Sequence, residues 1–435
     1  VALSRVTVEM MKREWPQHWP TLLPELYQIA SEGFNQAEIV LLILLRFVED
    51  VVVLQTLEYA QRRRDLYQHL NLQIEDIFTF LLKLMAQHYT LNVPESVRCI
   101  NLSLKLLSEI VEFAFVNRIA AEETRLLPVL CTLLSNENFQ LETAECLLRI
   151  AAKKGKYEDK RIFCKLLFNS TLMSSLSQLN FTLQNGALNE HNYMFIKKVA
   201  ELLSSMCTLL CAVVKSDSTN PYEFFKPEMF VLLLEIALNL CKHPSLIVAL
   251  HANTCWTCLF KHSVMSKETN VTNYIPKWVA EVTPKLIKIP YNPKRVIPLF
   301  RESYEYFAFD FESVDAFNTL CFRFRAELHE AFRHLTGIAP LVVFSCMEQW
   351  LGSLIQKTAS LQCSVFSPES QEYLEWEALS SILDIVVYSL PKMHTISFDR
   401  GVHLIDLCFK LEPVDVCIAS FLLSCISPLM YFVHH

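Results

Sequence analysis

The chain has 435 residues, and its 39 lysines and arginines against 46 aspartates and glutamates leave a net charge of −7. Hydrophobic residues make up 52% and charged residues 20%, which excludes a disordered tail and provides enough apolar side chains for a continuous core. Only 6 residues are glycine. Because phosphate-binding loops need glycine for positive φ angles and close backbone approach, this scarcity argues against Rossmann and P-loop nucleotide enzymes.

The apolar spacing is helical almost throughout the chain. One pair of apolar stripes runs from Leu126 to Leu134 and from Leu141 to Ala151, and Asn136 and Asn138 lie between the two stripes. Gly155 follows the second stripe, where we expect the C-terminal cap of its helix. This pattern predicts two antiparallel helices joined by a short turn. Such a unit is similar to a HEAT repeat of roughly 40–47 residues.

Similar second helices recur along the chain at irregular intervals, and no low-complexity linker interrupts them. Their predicted starts are Gln36, Glu95, Phe139, His191, His243, Val314, Gln371 and Pro413. No useful run has the alternating pattern of a β-strand. The sequence therefore predicts an all-α fold, a HEAT-repeat α-solenoid of about eight helix pairs forming one array over residues 1–435.

Several basic clusters interrupt this acidic chain. Lys153, Lys154 and Lys156 follow the helix that ends near Ala151, and the others are Arg62–Arg64, Lys197–Lys198 and Lys294–Arg295. Each is typical of a solvated surface. The inner helices of a solenoid line a common surface, however, so separate basic groups can converge on a phosphate backbone. We therefore take the three lysines as candidate phosphate ligands.

Cys255 and Cys258 form a C-x-x-C motif inside an apolar helical pattern. A structural zinc site needs four ligands, and no second pair has suitable spacing. The pair is therefore predicted to be buried and metal-free. The chain has 15 cysteines in all, an odd and dispersed set, which is typical of reduced thiols and not of a disulfide framework.

No catalytic centre emerges from the sequence. His329 and His334 flank Glu330 but are five residues apart, about 140° around a helix, so they cannot ligate one ion as an H-E-x-x-H pair does. No nucleophile or phosphate-loop motif occurs, and no catalytic residue, cofactor or metal site is predicted. An enzyme using Cys255, Cys258 or His329 remains an alternative.

The helix predicted from Val314 to Leu335 offers a second basic set. Its apolar face consists of Phe317, Leu320, Cys321, Phe324, Leu328, Ala331 and Leu335. Arg325, His329 and Arg333 lie on a separate stripe on the far side of the helix, which we expect to face solvent. The preceding acidic stretch, Asp310–Asp315, places carboxylates where the helix dipole favours them.

The two ends of the sequence bear on membrane insertion and completeness. Val416–Val433 carries no charge and approaches the length of a membrane span, but its serines and proline favour a helix buried on several sides. The chain opens with Val1 inside an amphipathic pattern, so we expect a fragment of a longer protein.

Five segments resemble the exportins of the importin-β (karyopherin) superfamily. They are KREWPQHWPTLL (Lys12–Leu23), FVEDVVVLQTL with QRRRD (Phe47–Asp65), AECLL with KKGKYED (Ala144–Asp159), FDFESVDAFN (Phe309–Asn318) and EWEAL (Glu375–Leu379). The Trp-Pro and acidic-Phe elements occur in several exportins, whereas the five segments in this order are more specific. Residues 1–65 are expected to form the region shared with exportin-1 and importin-β.

The resemblance implies a HEAT-repeat nuclear export receptor without catalysis. It implies Ran-GTP and nucleoporins as partners, and double-stranded RNA with a 3′ overhang, chiefly precursor microRNA, as cargo. With such a cargo, the residues expected to contact RNA phosphates are Arg325, His329, Arg333, Lys153, Lys154 and Lys156. It further implies a monomeric carrier that shuttles between nucleus and cytoplasm, with no membrane insertion. The repeats that grip Ran are expected before Val1, and much of the RNA-binding arch after His435. A HEAT-repeat scaffold for protein partners alone is the main alternative.

Overall fold

A computed structural model describes residues 2–53, 60–91, 93–121, 125–179, 189–214, 226–290, 300–360, 366–391, 396–413 and 415–433. Within these ranges the chain forms 21 α-helices and no β-strand, which confirms the predicted all-α fold. The helices are α1 Ala2–Glu14, α2 Leu22–Ala30, α3 Phe34–Val48, α4 Ala60–Leu72, α5 Ile74–Tyr89, α6 Pro94–Phe113, α7 Val116–Ile119, α8 Leu126–Leu134, α9 Gln140–Ala152, α10 Tyr157–Leu167, α11 Ser170–Ser177, α12 Glu190–Val213, α13 Pro227–Lys242, α14 Leu246–Lys261, α15 Thr269–Val282, α16 Arg301–Asp310, α17 Val314–Ile338, α18 Pro340–Ser360, α19 Gln371–Tyr388, α20 Phe398–Phe409 and α21 Val416–Leu429.

All eight predicted second helices are present, as α3, α6, α9, α12, α14, α17, α19 and α21. Their first residues are Phe34, Pro94, Gln140, Glu190, Leu246, Val314, Gln371 and Val416, each within three positions of the predicted start. The apolar period therefore located these helices correctly. A residual error of a few positions is expected, because the period marks a buried face and not the cap.

The chain divides into two compact units. The first holds Val1–Asn180, His191–Val213 and Tyr222–Phe230, and the second holds Phe181–Glu190, Val214–Pro221 and Val231–His435. In the first unit α2, α5 and α8 pack on their partners α3, α6 and α9, and α6 contacts both other partner helices. In the second unit α14, α17, α19 and α21 contact one another in that order. This pairing of neighbours and stacking of second helices is HEAT-repeat packing. Whether the array is continuous over residues 1–435 stays a prediction.

Side-chain caps fix the starts of several second helices. Ser245 and Ser370 accept from the N–H groups of Val248 and Tyr373 at 3.4 and 3.3 Å. Asp415 accepts from Cys417 and Ile418 at 2.8 and 3.1 Å. These oxygens satisfy backbone donors that have no partner within the helix. The caps also explain why α14 and α21 begin three residues later than the apolar pattern predicts.

Basic side chains from distant positions cover helix C-termini in both units. Arg62 donates to the carbonyls of Lys12 and Arg13 in the last turn of α1, both at 2.9 Å. Lys153 covers the last carbonyls of α6, and Lys285 donates to the His243 carbonyl at 2.8 Å after α13. Exposed carbonyls at a helix C-terminus carry partial negative charge, so a cation there stabilises the helix end.

The uncharged run near the C-terminus forms a short helix, α21, which packs on α19 and α20. Ile418, Leu422 and Cys425 are buried, but Val416 and Leu423 on other faces are exposed. The expectation of burial on several sides is therefore wrong for those faces, which have no neighbour among the described residues. No helix in the described ranges is both long and apolar enough to cross a membrane.

Candidate nucleic-acid interface

Helix α17 carries the second predicted basic set, which we call the α17 stripe (Arg325, His329 and Arg333). The predicted apolar face is buried as expected, except that Leu320 is half-buried and Phe332 joins it. The helix packs on α14, α18 and α19. Because three neighbours cover it, a second flank of α17 is enclosed, and this flank includes part of the stripe.

Arg325 is enclosed on that flank. Its side chain is 14% exposed, and its Nη1 lies 2.9 Å from Oε1 of Glu377 on α19. Nη2 donates to the Ser381 hydroxyl at 3.1 Å. The expectation that Arg325 faces solvent is therefore wrong, because α19 supplies a carboxylate that holds the guanidinium against the helix. Its predicted contact with RNA would require breaking this ion pair.

His329 contributes no charge at neutral pH. Burial, and then the positive charges of Arg325 and Arg333, lower its pKa to about 4. Its Nε2 is buried and has no hydrogen-bond partner among the described residues. Arg333 is exposed. The structure thus places the three side chains on one helix, but among them only Arg333 presents an accessible positive charge.

The first predicted set, Lys153, Lys154 and Lys156, lies in the first unit and is called the lysine segment. Lys153 is the C-terminal cap residue of α9, so the predicted cap at Gly155 is wrong. Its ammonium donates to the Val111 carbonyl at 2.9 Å and to the Glu112 carbonyl. Burial lowers its pKa, against the opposing charge of Glu112. Lys154 and Lys156 are exposed.

The remaining clusters are partly used within the fold. Arg62 covers the end of α1, and Lys198 pairs with Glu145 and Glu201 at 2.9 and 3.2 Å. Lys197 lies 4.6 Å from the centroid of the Tyr193 ring. Lys294–Arg295 lies outside the described residues. In the basic clusters predicted from the sequence, cations such as Arg62 and Lys198 therefore bind other parts of the chain and are not presented to a ligand.

An ion network in the first unit escaped the sequence analysis. Arg149 on α9 contacts Glu109 and Glu112 of α6 at 3.1 and 2.9 Å, and Glu145 at 3.1 Å. Burial acts to raise the pKa of Glu145, but hydrogen bonds from Lys198 and Arg149 outweigh it and lower the pKa. The Glu145–Arg149 spacing of four residues was the available signal. It gave no indication of the cross-helix partners.

The cysteine motif lies on α14. Cys255 is buried, as predicted, and its Sγ lies 3.5 Å from the His251 carbonyl, whereas Cys258 is only half-buried. Within the described ranges, no group of three or more histidine, cysteine, aspartate or glutamate side chains could hold a metal ion. The helix presents the two sulfurs as parts of its packing surface.

Several of the segments that carry the resemblance contribute side chains to the core, whereas Phe309–Asn318 is mostly exposed. Trp15 is buried with its ring edge-on to Phe47, at a centroid distance of 5.8 Å. Trp376 is buried on α19 and donates to the Thr358 hydroxyl at 2.9 Å. Buried Glu375 accepts from Lys357 at 3.3 Å. These buried side chains therefore serve packing within the chain and present no surface to a ligand.

Comparison with known proteins gives two family matches. The model of exportin 1-like proteins matches residues 1–147, and the model of the exportin-5 family matches residues 190–413. Exportin-5 of Homo sapiens is 33% identical over 99% of this chain, and exportin-5 of Mus musculus is 32% identical over 99%. Exportin-5 of Dictyostelium discoideum is 23% identical over 64% of the chain.

The chain spans 37% of the length of each mammalian relative and 25% of the Dictyostelium one. Among solved structures, one titled "Importin13 cytosolic state" superposes with a TM-score of 0.62 at 13% identity, covering 99% of this chain and 50% of that one. This likeness supports the HEAT-repeat fold alone. Since the exportin-5 model matches more than half of the residues, the chain belongs to the exportin-5 family.

Proposed function

We propose that this chain is part of a nuclear export receptor that binds structured double-stranded RNA, such as precursor microRNA with a 3′ overhang, together with Ran-GTP. Membership of the exportin-5 family carries this proposal. The receptor would pass through nuclear pores by contacting nucleoporins and would act as a monomeric carrier without catalysis. Its place in the cell would accordingly be both nucleus and cytoplasm.

The charge distribution is compatible with RNA cargo despite the net charge of −7. Duplex RNA is recognised through its shape, phosphates and 2′-hydroxyls, so local positive groups matter more than the overall charge. Lys154, Lys156 and Arg333 are exposed and keep their charges accessible. Arg325, His329 and Lys153, the other predicted phosphate ligands, require rearrangement or protonation before they can contribute.

Salt-dependent binding of a labelled RNA duplex tests the proposal. We expect affinity to fall steeply with salt, because phosphate contacts release counterions. Combined Lys154→Glu, Lys156→Glu and Arg333→Glu changes should weaken binding regardless of sequence and flatten the salt slope. Lys83→Glu, at an exposed lysine on α5 outside both sets, is the matched control.

Ran dependence is the second part of the same test. Ran-GTP should strengthen duplex binding and Ran-GDP should not, since two ligands that favour one conformation raise each other's affinity. The contrary result is a protein with no measurable affinity for duplex RNA at low salt, with or without Ran-GTP. That outcome would favour the alternative of a HEAT-repeat scaffold that binds proteins alone. The ion pairs of Arg325, Arg149 and Lys198 fit that alternative, because these cations are already paired with carboxylates of the chain.

A further inference from the structure

The second unit contains a cavity of about 590 Å³, which lies beside the C-terminal end of α13 and the first turn of α16. This volume falls within the range of roughly 300–1,000 Å³ that is usual for small-ligand sites. Its lining includes the apolar side chains of Leu246, Ile289 and Phe300, each at most 9% exposed. The cavity therefore has an apolar wall against which a hydrocarbon group can pack.

Five charged side chains also line this cavity, and four of them offset one another. Lys242 and Glu281 form an ion pair with an N–O distance of 3.0 Å. Arg301 and Glu302 carry opposite charges on adjacent, exposed residues in the first turn of α16. The fifth side chain is Lys285. Three cations and two carboxylates thus leave the lining with a net charge of +1, and that charge is the ammonium of Lys285.

The ammonium of Lys285 lacks a counter-ion in the part of the chain that the structure describes. Its hydrogen bond there is to the carbonyl of buried His243 at 2.8 Å, and no carboxylate lies within ion-pair distance of it. Burial lowers the pKa of Lys285 to about 8, against a smaller opposing effect of Cys241. An ammonium has three N–H donors, so two remain for a ligand. Because a buried cation without a counter-ion is unfavourable, a bound anion would stabilise this arrangement.

The apolar wall and the uncompensated ammonium together define a ligand. From this juxtaposition we propose that the cavity binds a carboxylate with an apolar chain, such as a medium-chain fatty acid. Its carboxylate would accept from Lys285, and its chain would pack against Phe300. The site is separate from the basic clusters considered for RNA, and the inference does not depend on the proposed function.

Other ligand classes satisfy only part of the lining. A small inorganic anion would leave the apolar wall without a contact, and an uncharged hydrocarbon would leave the ammonium without a counter-ion. A peptide would bring an N–H and a C=O group with each residue, and each of these groups needs a partner when it is buried. A fatty carboxylate has one polar group, which matches the one unpaired charge of the lining.

Isothermal titration calorimetry of the whole chain with octanoate tests the proposal. We expect saturable binding at millimolar or lower concentration. The neutral analogue 1-octanol should bind roughly 10- to 150-fold more weakly, because it cannot form the charge-assisted hydrogen bond with Lys285. Hexanoate should bind roughly 15-fold more weakly than octanoate, since it buries two fewer CH₂ groups.

Lys285→Met removes the ammonium and keeps most of the side chain's apolar stem. Octanoate affinity should fall roughly 10- to 150-fold in this variant. The affinity for 1-octanol should stay within about twofold, which would show that the cavity is intact. Lys277→Met, at an exposed lysine on α15 outside the cavity lining, is the matched control and should bind octanoate as the unmodified protein does.

Several results would overturn the inference. They are the absence of saturable heat with octanoate up to about 5 mM, equal affinities for octanoate and 1-octanol, and unchanged octanoate affinity in Lys285→Met. The ligand series uses the unmodified protein, so the inference stays testable if Lys285→Met fails to fold. Tighter binding of a short peptide that ends in a free leucine carboxylate would contradict the assignment to a fatty acid. None of these measurements involves RNA, so the proposed function stands or falls separately.

Discussion

His243 couples the stability of the second unit to pH. The residue is buried, 6% exposed, and follows α13, where its carbonyl accepts from Lys285. Its Nδ1 accepts from the Ser245 N–H at 3.1 Å, so the folded state requires an unprotonated Nδ1. Burial, and then the positive charge of Lys285, lower its pKa to about 4.

The sign and size of the pH effect follow from this shift. Well above pH 6.5 the ring is neutral in both states, so it adds no pH dependence there. As pH falls from 6.5 toward 4, the unfolded chain gains a proton that the folded chain does not, and stability is lost. A pKa of about 4 against about 6.5 in the unfolded chain gives a loss of about 2 kcal/mol between pH 7 and pH 5.

Hydrogen exchange of the α14 amides measures this loss. After correction for the intrinsic effect of pH, His243 should account for a roughly 20- to 30-fold loss of protection between pH 7 and pH 5. His243→Asn keeps an acceptor near the Ser245 amide but cannot titrate, so the loss of protection in this variant should be smaller by that factor. The loss that remains comes from other buried histidines such as His329. His18→Asn, at an exposed histidine, is the control. An equal drop in His243→Asn and in the unmodified protein would refute the reasoning.

Three further changes test packing and charge. Gly401→Ala drives a Cβ into the ring of Phe432, so calorimetry should show about 1–3 kcal/mol of destabilisation. Lys153→Met removes the donor that covers the end of α6, and urea denaturation should report a loss of about 1–2 kcal/mol. Arg325→Glu replaces an ion pair by a second carboxylate beside Glu377, which should cost about 3–5 kcal/mol in the same assay.

Each of these changes has a matched control. Gly352→Ala meets no atom within 4 Å and should stabilise α18 by about 0.5–1 kcal/mol. Lys154→Met and Arg333→Glu, both at exposed positions, should stay within about 0.5 kcal/mol of the unmodified protein. A Gly401→Ala protein as stable as the Gly352→Ala protein would contradict the contact with Phe432. Equal losses of stability on replacing the paired cations (Lys153, Arg325) and the exposed ones (Lys154, Arg333) would contradict the pairing described above.

The packing of α17 alters one prediction made from its sequence. With Arg325 treated as a surface residue, replacement by glutamate is expected to leave folding unchanged. The ion pair with Glu377 instead predicts that RNA affinity and folding fall together in that variant. Arg333→Glu is therefore the change that isolates phosphate contact from stability.

The amino-acid sequence by itself determined the fold class and the positions of the second helices. Apolar residues at a period of 3.6 mark a buried face whatever the neighbour is, so local pattern was sufficient for α3, α9, α17 and the other partners. Capping residues such as Ser313 and Asp415, which are also local, fix where the helices begin. The family resemblance likewise rests on short contiguous segments.

Tertiary structure decided which cations are accessible. Arg325 and Glu377 are 52 residues apart, and Lys153 and Val111 are 42 apart, so no local pattern links either pair. The amphipathic period shows one buried face of α17, but three packed neighbours also enclose a flank. Whether a charged side chain is exposed or paired therefore depends on what the neighbouring repeat places against it. In this chain Lys154 and Arg333 are exposed. Lys153 and Arg325 are instead held by partners on other helices.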